Sequence, residues 1–228
     1  MDKIVSLSLS KRIIIITKMK PISKRMRLFN QRTKMYVRLL HSQLNVYDNV
    51  ITDDESTALC QYIDNQFKRK RYQNDHFDHV IANYREFEYM NNNDNIKLEP
   101  IINRIRQIVL QNSKIDNIEL LKPHIIDLSE DGFIGPHVDS IKFSGHLIAG
   151  LSLLSTRILR LIPVDSNEKE VIELYLRPKS LYILTNELRY NYSHSILGKK
   201  CIPLKLEPLP VERRLSIMLR DKKSLRGY

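Results

Sequence analysis

The sequence predicts an α+β fold in which strands dominate and two helices precede most of them, and three observations carry that reading. After residue 139 the chain breaks into short apolar or alternating segments, Leu147–Leu154, Arg157–Val164, Val171–Leu176, Leu181–Leu184 and Arg213–Arg220, parted by polar stretches. That is the pattern of a compact β-structure. Ahead of it, two stretches place their apolar side chains at helical spacing. Between the halves, Gly135-Pro136-His137-Val138-Asp139 sets an imidazole and a carboxylate two residues apart, where a strand points both to one face.

A chain of 228 residues is long enough for one domain with a full core, with or without an appendage. Its formal charge of +11 suggests nucleic acid until the charge is located. Residues 1–40 hold 11 Lys and Arg and one acid, Asp2, whereas the rest of the chain holds 26 basic against 25 acidic side chains. A uniformly basic binding surface is therefore excluded. Two cysteines, Cys60 and Cys201, cannot build a disulfide framework in a chain this size and suggest a reducing interior. Each reads as an isolated thiol in apolar surroundings. No run approaches the ~20 apolar residues that cross a bilayer, so no membrane span is expected. Asn191-Tyr192-Ser193 fits the glycosylation sequon, but without a secretory signal it reads as chance.

Taken in order, residues 1–40 are rich in Lys, Arg, Ser and apolar residues and nearly free of acids, the make-up of a mitochondrial presequence. A nucleic-acid-binding arm and a tail without a role are the competing readings; the Ile13–Ile16 run favours an amphipathic helix. The expected division is a targeting segment over 1–40, one domain over 41–222 and a C-terminal tail over 223–228. Leu44 to Ile51 reads as a short strand and turn. Thr52-Asp53-Asp54-Glu55 has the capping-box pattern, and Lys68, Arg69 and Lys70 at the far end suit the helix dipole. With Leu59, Tyr62, Ile63 and Phe67 at helical spacing, a helix is predicted over 53–69. Residues 71–92, with Tyr72, Phe77, Tyr84, Phe87 and Tyr89, read as strand pieces and loop. Such aromatics can stack bases, yet packing at a sheet edge is their commoner use. Ile101, Ile102, Ile105, Ile108 and Val109 give a second helix over 96–111, and Glu119–Leu128 a strand leading into turns at Asp131-Gly132 and Gly135-Pro136.

The chemistry centres on His137 and Asp139, with His194 as the candidate second imidazole. Two His and one carboxylate on one face of an ion, the opposite face open, suit a non-haem Fe(II) oxygenase. His76-Phe77-Asp78 repeats the spacing, but in a charged patch with no apolar strands behind it. The C-terminal strand alternates, with Leu215, Ile217 and Leu219 on one face and Arg214, Ser216, Met218 and Arg220 on the other. Either the apolar face goes inward and the polar face to water, or the apolar face packs outward on helices and the arginines enter a pocket. In the second case Arg supplies the bidentate partner a dicarboxylic co-substrate needs.

In this order, His137-x-Asp139, short strands, His194 and Arg214-x5-Arg220, the chain resembles the AlkB-like branch of the Fe(II)/2-oxoglutarate dioxygenases. The segments His137–Phe143, Ile148–Ser155 and Ser180–Leu184 are similar to a mitochondrial member of that branch, and the similarity runs from about residue 44 to 221. The resemblance implies a double-stranded β-helix (jelly-roll) core with the two helices packed on it, and Fe(II), 2-oxoglutarate and O₂ as cofactor and co-substrates. It implies that His137, Asp139 and His194 hold the iron, that Arg214 pairs with the far carboxylate of 2-oxoglutarate, helped by Tyr182 and Ser216, and that Arg220 completes the anionic end. Two departures matter. Ile141 stands where base-repairing relatives carry an acid that meets the base, and Ile126 and Leu128 stand where they carry an Asn-x-Tyr pair that helps hold 2-oxoglutarate. Tyr182 is expected to take over the second task. His124, His146 and the His76/His79 pair match no family role and read as structural or surface residues; Asn191-Tyr192 has the position to shape the pocket.

The function expected is a mitochondrial matrix dioxygenase that oxidises C–H bonds of a protein or metabolite and releases succinate and CO₂. The resemblance links it to mitochondrial and fatty acid metabolism and to regulated (programmed) necrosis after alkylation or oxidative damage. Demethylation of mitochondrial RNA, whose loops reach a pocket without base flipping, is the alternative within enzymes. A basic-armed nucleic-acid-binding scaffold is the alternative outside them. No duplex DNA partner is expected, and a monomer is favoured.

Overall fold

The computed structural model describes residues 44–90, 96–141, 144–165, 171–204 and 206–222; the basic segment 1–40 and the tail 223–228 lie outside the described residues. The capping box forms as the local sequence requires. The Thr52 hydroxyl accepts from the Glu55 N–H at 3.2 Å, Glu55 Oε2 accepts from the Thr52 N–H at 2.8 Å, and helix α1 (Asp53–Phe67) follows. It stops at Phe67, so Lys68 is its C-cap and Arg69 and Lys70 lie past its end. Helix α2 (Glu99–Ser113) begins three residues later than its periodicity suggested, with Pro100 in the first turn, where a missing N–H costs nothing. Arg104 of α2 donates to both oxygens of Glu55, at 2.8 and 2.6 Å, tying the helices together.

The described residues also form ten strands: β1 (Leu44–Tyr47), β2 (Gln73–Asp75), β3 (Ile81–Glu88), β4 (His124–His137), β5 (Leu147–Leu154), β6 (Arg157–Pro163), β7 (Ile172–Leu176), β8 (Leu181–Thr185), β9 (Tyr192–Ile196) and β10 (Arg214–Arg220). A five-residue helix, α3 (Asn186–Tyr190), joins β8 to β9. All pairings are antiparallel, in the order β1-β8-β5-β10-β4-β9-β6-β7, with the β2–β3 hairpin added along β4.

Strand β4 departs from the sequence reading, for it runs unbroken through both expected turns. Its first half pairs with β10, Leu128 opposite Arg214 and His124 opposite Met218, and its second half pairs with β9, His137 opposite His194. Register shifts between Ile134 and His137, and in the β3–β4 ladder between Ala82 and Tyr84, are the bulges that re-aim the strand from one set of neighbours to the other. The result is a curled sheet whose two halves face each other, the jelly-roll arrangement.

Two cores follow, one on each side of the β8-β5-β10 layer. Leu147, Ala149, Leu151, Leu153, Leu181, Ile183, Leu215, Ile217 and Leu219 pack against Leu59, Ile63 and Phe67 of α1 and Ile101, Ile102, Ile105 and Val109 of α2. Inside the curl, Ile126, Leu128, Leu159, Leu161, Leu174, Tyr182, Tyr192 and Met218 form the second cluster. The apolar face of β10 therefore meets the helices, and its arginine face turns inward. The aromatics at 71–92 mostly serve the edge: Tyr84 and Tyr89 are buried and Phe87 packs on the helical core, while Phe77 alone is widely exposed. Cys60 is half-buried against that core, but Cys201 is exposed, against the apolar setting expected for it.

Candidate metal centre and co-substrate pocket

His137 is the last residue of β4, and the ladder sets it directly opposite His194 on β9. Their rings lie 4.2 Å apart between centroids. Asp139, two residues beyond the strand end, turns Oδ1 to within 3.1 Å of His137 Nε2 and 3.6 Å of His194 Nε2. Among the described residues this is the one group of three side chains whose ligand atoms all lie within 4.8 Å of one another. His194 is buried, Asp139 nearly so, and His137 partly exposed.

The donor set fits a cation. His137 Nδ1 donates to the Gly135 carbonyl at 2.9 Å, so in the neutral ring Nε2 carries the lone pair. That lone pair faces a carboxylate oxygen, with a second imidazole nitrogen close by. Three side chains able to ligate a cation converge, and ligands sharing one face of an octahedral ion at ~2.1 Å lie about 3 Å apart. His194 Nδ1, also buried, has no partner. Burial pushes the Asp139 carboxyl up, but the adjoining His137 ring and the Arg220 charge outweigh it and hold the group well below the usual range. Burial, with the His137 charge adding to it, pushes His194 down to about 3, so it stays a neutral donor. Arg220 Nε donates to Asp139 Oδ2 at 2.7 Å and turns Oδ1 toward the imidazoles. Arg220 is thus engaged with Asp139 at the metal end of the strand face.

At the far end of the same strand face lies a separate buried cation. Arg214 is buried, its Nε donates to Ser152 Oγ at 2.9 Å, and its Nη2 has no partner among the described residues. Burial lowers it to about 10. A buried guanidinium with no carboxylate beside it is costly unless an anion arrives. Tyr182 lies along the same interior, its hydroxyl 3.6 Å from Met218 Sδ, with burial raising it to about 12. Ser216 Oγ is turned to the Ile126 carbonyl at 3.4 Å. A second buried guanidinium, Arg157, is spent on four backbone carbonyls, those of Ser129, Gly132, Leu197 and Glu212, and its charge faces Arg214. The donor set suits a carboxylate ligand between the two ends.

The other described histidines stay outside this centre. His76 pairs with Asp78 at 2.7 Å and His79 with Asp75, both on the exposed β2–β3 hairpin. His124 pairs with Glu86 at 2.7 Å, and His146 Nδ1 lies 2.8 Å from the Tyr190 hydroxyl. Tyr192 packs in the interior cluster, two residues before His194. Three buried polar residues of the site went unnoticed in the sequence: Ser152, Arg157 and Arg189, the last donating to the Asp139 carbonyl at 3.0 Å. The two arginines contact backbone carbonyls and a plain serine, and Ser152 meets Arg214 far along the chain, so none of them leaves a motif.

No family model matches the chain. Its sequence is nonetheless 36% identical over 183 residues, 80% of this chain and 80% of the relative, to the mouse (Mus musculus) alpha-ketoglutarate-dependent dioxygenase alkB homolog 7, mitochondrial. It is 36% identical over 167 residues, 73% of each, to the protein of that name from Bos taurus. It is also 26% identical over 190 residues, 77% of this chain and 82% of the relative, to the uncharacterized protein L905 of Acanthamoeba polyphaga mimivirus. Among solved structures, the fold is similar to a Trichoplax adhaerens prolyl hydroxylase in complex with a hypoxia inducible factor peptide fragment (TM-score 0.60, 12% identity, 88% of this chain and 93% of that one). It is likewise similar to a Pseudomonas putida prolyl-4-hydroxylase (TM-score 0.55, 12% identity, 81% and 94%) and to OsALKBH1 (TM-score 0.55, 12% identity, 78% and 97%). The solved structures speak for the jelly-roll fold, and the mouse and cow relatives for the family. The chain belongs to the AlkB-like Fe(II)- and 2-oxoglutarate-dependent dioxygenases, as an enzyme of their mitochondrial alkB homolog 7 branch.

Proposed function

We propose that His137, Asp139 and His194 hold the Fe(II), that Arg214 with Tyr182 and Ser216 binds the far carboxylate of 2-oxoglutarate, and that Arg220 orients Asp139. The convergence of three potential ligands at one end of a strand face, with a buried guanidinium whose Nη2 has no partner among the described residues at the other, carries this reading. When bound, Fe(II), 2-oxoglutarate and O₂ supply oxidation of a substrate C–H bond with release of succinate and CO₂. The chain's own residues ligate, orient and exclude water. Arg220 keeps the Asp139 carboxylate turned to the imidazoles, the Gly135 carbonyl fixes the His137 tautomer, and the interior cluster around Tyr182 and Met218 keeps the pocket dry.

The substrate we favour is a protein or a metabolite. The rim supports this. Ile141, just past Asp139, is 57% exposed. The Gly135 N–H donates to Val80 at 2.7 Å, which brings the β2–β3 hairpin, with Phe77 87% exposed at its tip, beside the segment that carries His137. These side chains offer apolar contact. The basic segment 1–40 is proposed as the import signal for this enzyme rather than as a binding arm, with the enzyme proper over 41–222. The role in mitochondrial metabolism and regulated necrosis after alkylation or oxidative damage belongs to the same proposal.

The test is succinate formation by the iron-loaded protein and His137→Ala, screened against mitochondrial protein and RNA fractions. Turnover dependent on His137 and stimulated by the protein fraction is the expected result. Stimulation by RNA alone assigns the demethylase alternative, and turnover that survives His137→Ala removes the metal assignment.

A further inference from the structure

We propose that Arg189 is a positioning residue for the metal centre, tying the segment that bears Asp139 to the helix that leads into the strand bearing His194. It rests on the reading of His137, Asp139 and His194 as metal ligands.

Asp139 needs such a device because no ladder holds it. The pairing of β4 with β9 ends at His137 opposite His194, and β5 does not begin until Leu147. Arg189 fills the gap from behind. It is fully buried on α3, its Nη1 donates to the Asp139 carbonyl at 3.0 Å, and its Nη2 donates to Ser144 Oγ at 2.6 Å and to the Ser144 carbonyl at 3.4 Å. Its Nε has no acceptor. The next residue extends the grip: the Tyr190 hydroxyl donates to the Gly145 carbonyl at 3.1 Å. Helix α3 therefore fastens Asp139, Ser144 and Gly145 at once, and β9 with His194 begins two residues after it. Asp139 is then held at both ends, its carboxylate by Arg220 and its backbone by Arg189.

A packing role does not account for a guanidinium here. Its acceptors are all neutral, so the buried charge is not repaid by an ion pair, and an apolar side chain of similar length fills the space at lower cost. A planar fork with fixed donor directions, by contrast, sets the distance between two chain segments. Partners behind a ligand typically change metal affinity by about 10–100-fold when lost.

The experiment titrates the full chain with Co(II) alone, following its ligand-field absorption and the heat of binding. Wild type should take up one equivalent and His137→Ala should not; absence of a site in wild type overturns the metal reading, and the present one with it. With the site shown, Arg189→Met should bind Co(II) about 10–100-fold more weakly with altered ligand-field bands while keeping its circular dichroism, and Arg189→Lys should recover part of the loss. A folded Arg189→Met with wild-type affinity and bands overturns the proposal. If Arg189→Met does not fold, Ser144→Ala and Arg189→Lys decide: weaker binding in either supports it, and wild-type affinity in both overturns it.

Discussion

Replacing Gly150 with Ala puts a methyl group where Tyr182 already lies. The cross-strand register sets Gly150 of β5 between Met218 of β10 and Tyr182 of β8. A Cβ at residue 150 would stand 2.5 Å from Tyr182 Cε1, 2.8 Å from Cζ and 2.9 Å from the hydroxyl oxygen. Carbon atoms pack at about 3.5–4.0 Å, so the ring must retreat by roughly 1 Å. It has little room: Tyr182 is 2% exposed, inside the interior cluster, with its hydroxyl against Met218. Overpacking of this kind costs about 1–3 kcal/mol, read as a lower urea midpoint at unchanged slope. The same retreat moves the tyrosine proposed to help hold 2-oxoglutarate, so the affinity of the Mn(II)-loaded protein for 2-oxoglutarate should fall as well. The second substitution identifies the cause. Tyr182→Leu should relieve Gly150→Ala, giving a favourable coupling of about 1 kcal/mol or more, whereas Tyr182→Phe should not, because the two nearest atoms belong to the ring. Wild-type stability of Gly150→Ala, or equal relief by Phe and Leu, refutes the reasoning.

Other expectations follow from the charges. Arg214→Met should leave the ligand-free protein within about 1 kcal/mol of wild type or more stable, since it removes an uncompensated buried charge. It should also abolish the stabilisation by 2-oxoglutarate, about 2.7 kcal/mol at a hundredfold excess over Kd; thermal melts with and without ligand check both. Asp127, fully buried, accepts from Arg85 at 2.8 Å, from Arg213 at 3.0 and 2.9 Å and from Tyr72 at 3.1 Å. Asp127→Asn should therefore cost about 3–5 kcal/mol in urea denaturation, and a loss under about 1 kcal/mol contradicts this. The Arg104 hydrogen bond, against the opposing effect of burial, holds the Glu55 carboxyl below its ordinary 4.5. Its stabilisation is then complete above the unfolded value and is lost as the pH falls through the folded one. Glu55→Gln should destabilise at neutral pH by about 1 kcal/mol, and its stability should fall less steeply than wild type's below pH 4.5; parallel curves contradict the pairing.

Helix α1 was legible because its determinants are local: Thr52 and Glu55 close the cap within one turn, and Leu59, Ile63 and Phe67 mark the buried face. The strands from Leu147 onward were legible for the same reason. The orientation of β10 was not, since alternation says only that Leu215, Ile217 and Leu219 share a face, and burying either face is consistent with it. What decides is the pair of helices that cover the apolar side, a fact about elements far away in sequence. In β4 the local signal misled. Gly132 and Gly135-Pro136 read as turns, yet the chain stays extended because β3, β9 and β10 pair along it, and the turn residues end up in bulges. The residues that could hold iron were legible from His137 and Asp139, while Arg157 and Arg189 were hidden because their acceptors are mostly main-chain carbonyls, which every residue offers.

The arrangement of β10 also explains how the protein carries a cost at its centre without losing its fold. The strand has two jobs on opposite faces, and the helical core does not touch the pocket. Leu215, Ile217 and Leu219 supply burial against α1 and α2, at about 1.5–3 kcal/mol for each fully buried side chain. Arg214 on the other face can therefore remain without a counter-charge. Filling the interior with apolar side chains would stabilise the chain further and leave nothing to attract a dicarboxylate. Asp139 and Arg220 show the complementary choice at the metal end, where the charges are paired and one carboxylate oxygen is left to face the imidazoles. Charge is satisfied where geometry must be held and left unsatisfied where the proposed ligand would enter. Stabilising substitutions should accordingly be tolerated on the helical face of β10 and should trade against binding on the other.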